Sequence, residues 1–234
     1  MEEMVPILRR GLTELGLPDD GAESLARYGQ LLAEKNQVMN LTAITDPADM
    51  AALHFLDSAA LLTLADLRNK SVADVGTGAG FPGLPLRIVE PSIHLTLLDA
   101  QNKRVDFLRE VCAALDLPDV ACVHARAEEF AAEHRESFDV VTSRAVANLR
   151  MLSELCLPLV KPGGYFLAMK SVESDAETAE AAQALKLLGG QLERVEDYAI
   201  PGTEVRHRLL FIKKTAPTPK KYPRPFAKIK KNPL

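Results

Sequence analysis

The run Asp74-Val75-Gly76-Thr77-Gly78-Ala79-Gly80-Phe81-Pro82-Gly83 closes a short apolar segment and carries residue types that let a ligand approach the main chain. Glycine serves where a turn visits positive φ or where a ligand comes close to the backbone. Position weighs more than spacing, because open α/β sheets bind ligands at the carboxyl ends of their strands and this run follows the first strand. A tight turn with no ligand is the plain alternative. A phosphate loop for ATP ends in Gly-Lys-Ser or Gly-Lys-Thr, and Phe81-Pro82 is not that. A dinucleotide fingerprint beginning at Gly76 and Gly78 needs its third glycine at position 81, where phenylalanine stands. Gly76, Gly78 and Gly80 with Asp74 just before them suit a cofactor without a pyrophosphate, namely S-adenosyl-L-methionine. Asp74 either organises the turn or meets the cationic methionine end through water. Asp99, 23 residues beyond Gly76 at the end of a second strand, is placed to accept both ribose hydroxyls. A solvated strand-end aspartate is the alternative there.

A third strand leads into Ala125-Arg126-Ala127-Glu128-Glu129-Phe130, which would border the adenine. The Ala127 and Glu128 backbone would read its edge, with Phe130 in the core and Glu128 alternatively a helix-starting acid. After the fourth strand comes Ser143-Arg144-Ala145, whose arginine sits at the rim and can fix a phosphate or a carboxylate through its rigid fork. A surface ion pair is the competing reading. His54, Asp57 and Ser58 form a polar i, i+3, i+4 cluster on a helix otherwise built around leucines. Capping loop groups near the sheet is one role for His54, contact with cofactor or nucleic acid another. Asn40-Leu41-Thr42 faces the same junction or forms an ordinary asparagine turn. No Asn-Pro-Pro-Tyr or Asp-Pro-Pro-Tyr run grips an exocyclic amine, and no Pro-Cys loop supplies a nucleophile. Both absences favour an acceptor that needs little activation, such as a purine N7. Methyl transfer to that lone pair depends on alignment and needs no general base.

The elements that hold these residues follow from pattern. Residues 1–66 read as helical, with apolar runs over 4–16 and 22–38 and a third helix capped by Asp46 with Pro47 at its first position. Met50, Leu53, Ala60, Leu61 and Leu64 supply the stripe of that third helix. Strands are expected at Ser71–Val75, Ile93–Leu98, Val120–Val123, Phe138–Thr142 and Tyr165–Met169, the last announced by a Lys161-Pro162-Gly163-Gly164 turn. Arg104–Leu115 and 175–188 read as helices, and Gln191–Ala199 and Val205–Lys213 as two consecutive strands. Alternation of this kind predicts an α/β fold with a mostly parallel seven-stranded sheet covered on both faces, its last strand antiparallel.

Composition bounds the class. The chain has 234 residues, 47% hydrophobic and 26% charged, which is globular. Cys112, Cys122 and Cys156 match no zinc spacing and read as free thiols in a reducing compartment, with no metal expected. Met1 is followed by two glutamates and no apolar stretch nears 18 residues, so neither signal peptide nor membrane span is expected and a cytosolic location is. The net charge of −4 is unevenly spread. Lys213, Lys214, Lys220, Lys221, Arg224, Lys228, Lys230 and Lys231 crowd the last 22 residues without an acid, leaving −12 on the rest. Five of the fifteen prolines lie in that tail and argue against helix or central strand. It reads either as a solubilising end or as an arm that meets phosphate, with Tyr222 and Phe226 packing on bases or on the body.

Taken together these residues resemble the RsmG family, also called glucose-inhibited division protein B: bacterial methyltransferases of small-subunit ribosomal RNA. The resemblance runs through Asn40-Leu41-Thr42, His54 to Ser58, Asp74 to Pro85, Leu97-Leu98-Asp99, Lys103-Arg104, Arg126 to Phe130, Ser143-Arg144-Ala145 and the tail from Lys221 to Arg224 and Lys231 to Leu234. It implies a class I, Rossmann-like methyltransferase dependent on S-adenosyl-L-methionine. The methyl group would go to N7 of a guanine in the 530 loop of 16S rRNA, position 527 in the usual rRNA numbering. It also implies cofactor contacts at Gly76, Phe81, Ala127, Glu128 and Arg144. Phe81 stands where other members carry leucine, and Arg224 is followed by Pro225 and Phe226 where family tails carry lysine. The expected organisation is an N-terminal helical extension (1–66), a methyltransferase domain (67–214) and a basic tail (215–234), acting as a monomer. The candidate catalytic residues are Arg144, His54 and Asn40. Asp74, Gly76, Gly78, Gly80, Phe81, Asp99, Ala127, Glu128 and Arg144 are the cofactor candidates, and Lys103, Arg104, Lys221 and Arg224 the contacts to 16S rRNA or the 30S subunit. A small-molecule methyltransferase, a nicotinamide oxidoreductase and a non-catalytic RNA-binding module are the competing readings.

Overall fold

The computed structural model describes residues 3–144 and 147–234, so the Met1-Glu2 start and Ala145 of the rim segment fall outside the described residues. The chain begins with helices α1 (Met4–Glu14) and α2 (Ala22–Met39). Asp46 then caps α3 (Pro47–Met50) as expected, its Oδ1 accepting from the backbone N–H groups of Ala48 and Asp49 at 2.9 and 3.0 Å. The single helix expected from 47 to 64 is interrupted. A π-helical turn spans Ala51–Leu56, followed by the short helices α4 (Asp57–Ala59) and α5 (Leu61–Leu64). The segment is buried nearly all round, from Ala51 to Leu61 with Leu53 half-buried, so His54 and Asp57, three residues apart, are both enclosed.

The α/β portion follows as β1 (Ser71–Val75), α6 (Gly83–Val89), β2 (His94–Asp99), α7 (Asn102–Ala114), β3 (Ala121–His124), α8 (Ala127–Glu133), β4 (Phe138–Ser143) and α9 (Leu149–Cys156). Then come β5 (Val160–Ser171), α10 (Asp175–Glu180), α11 (Ala182–Leu187), β6 (Gly190–Ala199), β7 (Arg206–Lys214) and α12 (Phe226–Lys231). The seven-stranded sheet has the order β3-β2-β1-β4-β5-β7-β6. β7 runs antiparallel to both neighbours, and the other pairs are parallel. Successive strand residues serve opposite cores: Leu167 and Met169 join one cluster, Phe166 and Ala168 the other. Apolar side chains on both faces are what a sheet covered by helices on both sides requires. The first cluster takes in the N-terminal helices, with Met4, Leu8, Tyr28 and Phe55 packed beside Phe107 and Leu108.

Three local expectations are corrected. The Lys161-Pro162-Gly163-Gly164 turn does not precede β5 but lies inside it, as a bulge between the Phe138–Val160 and Val140–Tyr165 pairings, with Gly163 at φ 89°. The alanine-rich helix breaks at Ala181 into α10 and α11. The tail does contain a helix: α12 starts immediately after Pro225 and ends before Pro233, so the prolines bracket a proline-free turn and a half.

Candidate active site

The glycine run turns at the carboxyl end of β1, where the N–H groups of Gly76 and Thr77 donate to the Leu98 carbonyl at 2.9 and 3.2 Å. Asp74 organises it from beneath: its Oδ2 accepts from the Thr77 hydroxyl (2.6 Å) and the Gly83 N–H (2.9 Å). Its other oxygen, Oδ1, is buried with no partner among the described residues. Burial pushes the Asp74 carboxyl up to about 6, against the pull of the Thr77 and Gly83 hydrogen bonds. Gly76 (φ 69°) and Gly78 (φ 61°) hold left-handed conformations, and a Cβ on either would project into open space. Gly80 is different, since a Cβ there would strike the Tyr28 hydroxyl, Leu84 and Leu108. Tyr28 donates its hydroxyl to the Ala79 carbonyl, so α2 buttresses the loop from behind.

In front of the loop lies a cleft of about 250 Å³. It gathers Gly76, Asp99, Ala127, Glu128 and Arg104 from the sequence candidates, together with Leu155 and Phe226. Asp99 is buried, its Oδ2 accepting from the Gly78 N–H (2.9 Å) and its Oδ1 from the Gln101 N–H (2.8 Å), with Arg104 Nη1 at 3.5 Å. These bonds aim the carboxylate and leave each oxygen a further lone pair. Open space over two left-handed glycines, a strand-end carboxylate and a largely apolar wall fit S-adenosyl-L-methionine. Gly76 and Gly78 would leave room for its passage, Asp99 would take its ribose hydroxyls, and Ala127 and Glu128 would border its base.

Arg144, His54 and Phe81 do not line that cleft; they form a second cluster behind the loop. The Phe81 ring is buried between Tyr28 (centroids 5.5 Å, 13°) and His54 (4.5 Å, 19°), with the Arg144 guanidinium 4.8 Å from its centroid. Any cofactor contact by Phe81 therefore falls to its backbone. Arg144 Nη2 meets His54 Nδ1 at 3.2 Å, and His54 Nε2 meets the Thr42 hydroxyl at 2.8 Å. Burial, reinforced by the Arg144 charge, lowers the imidazole to about 4, so His54 is neutral with Nδ1 accepting and Nε2 donating. Arg144 Nη1 donates to Asp57 Oδ2 (3.0 Å) and to the Leu53 carbonyl (3.2 Å). Asp57, fully buried, accepts on Oδ1 from the Tyr198 hydroxyl and from His207 Nδ1, both at 2.8 Å. Burial opposes its charge, but the bonds from His207, Arg144 and Tyr198 outweigh burial and hold the carboxyl below its ordinary value.

The remaining candidates stand elsewhere. Asn40 ends α2 in a left-handed conformation (φ 49°) with its side chain exposed, which matches the asparagine-turn alternative. Lys103 is exposed at the start of α7, and Lys221 is exposed with its Nζ 5.2 Å from the Tyr222 ring centroid. Arg224 is committed to the body: its Nε and Nη2 reach the two oxygens of the buried Glu154 at 2.8 and 2.6 Å. Phe130 packs in the core against His134 and Phe138. Tyr28, Tyr198, His207, Leu155 and Phe226 are site residues that spacing alone does not reveal as such. Tyr28 reads as an ordinary member of a helical stripe.

Residues 21–206 match the family model described as rRNA small subunit methyltransferase G (GidB). A relative named ribosomal RNA small subunit methyltransferase G from Staphylococcus carnosus is 45% identical over 225 residues, covering 94% of each chain. The protein of the same name from Acetivibrio thermocellus is 43% identical over the whole of both chains. Among solved structures, a SAM dependent methyltransferase from Aquifex aeolicus superposes with a TM-score of 0.54 at 20% identity, covering 74% of this chain and 96% of that one. TrmN from Thermus thermophilus gives 0.54 at 24% identity over 67% of this chain and 48% of its own. These two likenesses establish the shared fold.

Proposed function

The chain belongs to the rRNA small subunit methyltransferase G family, and from that premise we propose that it methylates N7 of a guanine in the 530 loop of 16S rRNA, at position 527 in the usual rRNA numbering. S-adenosyl-L-methionine is the cofactor, and when bound it supplies an electrophilic methyl group on a sulfonium. The observation that carries the reading is the cleft at the end of β1 and β2, where Gly76, Asp99, Ala127 and Glu128 meet in front of a glycine turn unsuited to a pyrophosphate.

The second cluster supports an acceptor that needs no deprotonation. His54 has both ring nitrogens engaged and is neutral, and Asp57 is satisfied by three donors, so neither side chain is free to act as a general base. What the chain contributes is alignment and charge. Asp57 fixes Arg144 behind the glycine loop and offsets its positive charge, which tempers repulsion as positive charge passes to the purine. A ribosomal RNA substrate implies a cytoplasmic protein. Incubation with labelled S-adenosyl-L-methionine and, separately, 30S particles, naked 16S rRNA and small metabolites tests the proposal. Label at one guanine of the 530 loop, sensitive to borohydride and aniline as N7-methylguanine is, is the expected result. Label at another base or another position of that guanine would refute it, and label in metabolites alone would favour the small-molecule enzyme.

A further inference from the structure

The basic tail, which its composition suggests is a phosphate-seeking arm, is bolted to the body. Arg135 donates from Nη1 to the Tyr222 carbonyl (2.8 Å) and from Nη2 to the Pro219 carbonyl (3.1 Å). Arg224 grips Glu154, and Arg150 of α9 reaches the Pro233 carbonyl at 2.7 Å. Tyr222 and Ile229 are buried in the second core cluster. Lys214, fully buried, donates to the Leu157 carbonyl and the Thr218 hydroxyl, each at 2.6 Å, where the tail leaves the sheet. This docking delivers one residue to the cleft. Phe226, the first residue of α12, lines it beside Leu155 and the Ala125–Glu128 segment, and the Arg126 guanidinium lies 5.5 Å from its ring centroid.

We propose that Phe226 is a cofactor-binding residue, the apolar wall for the adenine ring, and that tail docking is a condition of cofactor affinity. The proposal rests on the reading of the cleft as an S-adenosyl-L-methionine site. Of the three parts of that cofactor only adenine is flat and aromatic, and flat heterocycles gain most from an aromatic face. Phe226 is half-buried, so the ring is anchored on one side and available on the other. Its neighbours in the cleft are the residues that follow β3, next in order after Asp99, which the same reading assigns to the ribose.

Calorimetric titration with S-adenosyl-L-homocysteine and with 5′-methylthioadenosine, which keeps the adenine but lacks the amino-acid end, tests this. Phe226→Ala should weaken both ligands by about tenfold, the lower-middle of what removing an aromatic platform from beneath a base costs. Phe226→Leu preserves apolar bulk and docking, so its melting temperature should match the parent while Kd still rises several-fold. Phe226→Tyr should bind as the parent does. Ile229→Ala, which loosens α12 from beneath, should weaken both ligands without touching the cleft. A Phe226→Leu protein with parental Kd overturns the proposal, as does Phe226→Ala within twofold of the parent. A parent chain that binds neither ligand would instead sink the cofactor reading itself, and the two failures are distinguishable.

Discussion

Burying a carboxyl group beneath a glycine turn raises its hold on a proton, and Asp74 shows the consequence at about 6, with Asp99 adding to the shift and Arg144 opposing it. An unfolded aspartate titrates near its ordinary 3.8. Between those values the folded state binds more protons than the unfolded one, so this group makes stability fall as pH rises through that window. Asp74→Asn keeps one acceptor oxygen for Thr77 and Gly83 and removes the buried charge. Relative to the parent it should gain stability as pH rises from about 4 to about 7, by on the order of 2–3 kcal/mol in all. Thermal melts at about pH 4 and pH 7 measure this, and a mutant whose difference from the parent is the same at both would acquit Asp74. Gly76 poses a different question, because its φ of 69° and the empty space before it penalise a side chain for two separate reasons. Gly76→Ala should lose about 1–2 kcal/mol of stability to left-handed strain. It should also weaken S-adenosyl-L-homocysteine by tenfold or more, since the new methyl group enters the cradle. Gly202, also left-handed (φ 74°) and open but remote from the cleft, supplies the control. If Gly202→Ala reproduced the loss of affinity, strain and not occlusion would be the cause.

Helix segment and sheet meet through Asp57. It follows the π turn and receives donors from the end of β4 (Arg144), from β6 (Tyr198) and from β7 (His207). Removing the carboxylate strands Arg144 and two polar groups, so Asp57→Ala should cost about 3–5 kcal/mol, as breaking a buried ion pair does. His207 gives the pH signature. Its hydrogen bond to Asp57 raises the imidazole above its ordinary 6.5 despite partial burial. That contribution is complete below the unfolded value and is lost as pH rises through the folded one. The stability gap between the parent and Asp57→Asn should therefore be wider at pH 6 than at pH 8; a gap independent of pH would remove His207 from the pair's energetics. Element by element, the strand-and-helix alternation was legible because the inner strands β1, β2 and β4 are short apolar runs and several breaks carry Gly, as at Gly76–Gly83 and Gly189-Gly190. Asp99 and the Gly76 turn were legible because strand ends are where ligands bind. The π turn was not, since a leucine stripe at mixed spacings fits one long helix equally well. Nor were two of the three donors to Asp57, Tyr198 and His207, which lie 141 and 150 residues away and share a neighbourhood with it only after the sheet closes.

At the scale of the whole molecule, charge is partitioned twice: first between an acidic body and a basic tail, then within the tail itself. Lys214 is buried, Arg224 is paired with Glu154, and Lys213 lies 3.1 Å from Glu193. Lys220, Lys221, Lys228, Lys230 and Lys231 remain exposed, so five cations face outward from a segment whose other side is docked. The dichotomy between an arm and a structural strap is thereby dissolved, because one face can hold the cofactor wall while the other meets phosphate. Deleting the tail would confound the two roles. Replacing the five exposed lysines with glutamine separates them, since no buried group or cleft residue changes. The melting temperature should stay within about 2 °C and S-adenosyl-L-homocysteine affinity within about twofold, as expected for surface substitutions away from a site. RNA affinity should fall, and the slope of log K against log salt should become shallower by at most about 4.5, taking roughly 0.7–0.9 for each phosphate no longer neutralised. Arg224→Ala makes the converse test: it frees the buried Glu154, so it should lower the melting temperature and cofactor affinity while changing the salt slope little. Measuring RNA binding at four salt concentrations for parent and both variants decides the matter. Parallel lines for the parent and the five-lysine variant would show that the outward face of the tail does not touch RNA, and that the positive charge crowded there serves something other than the substrate.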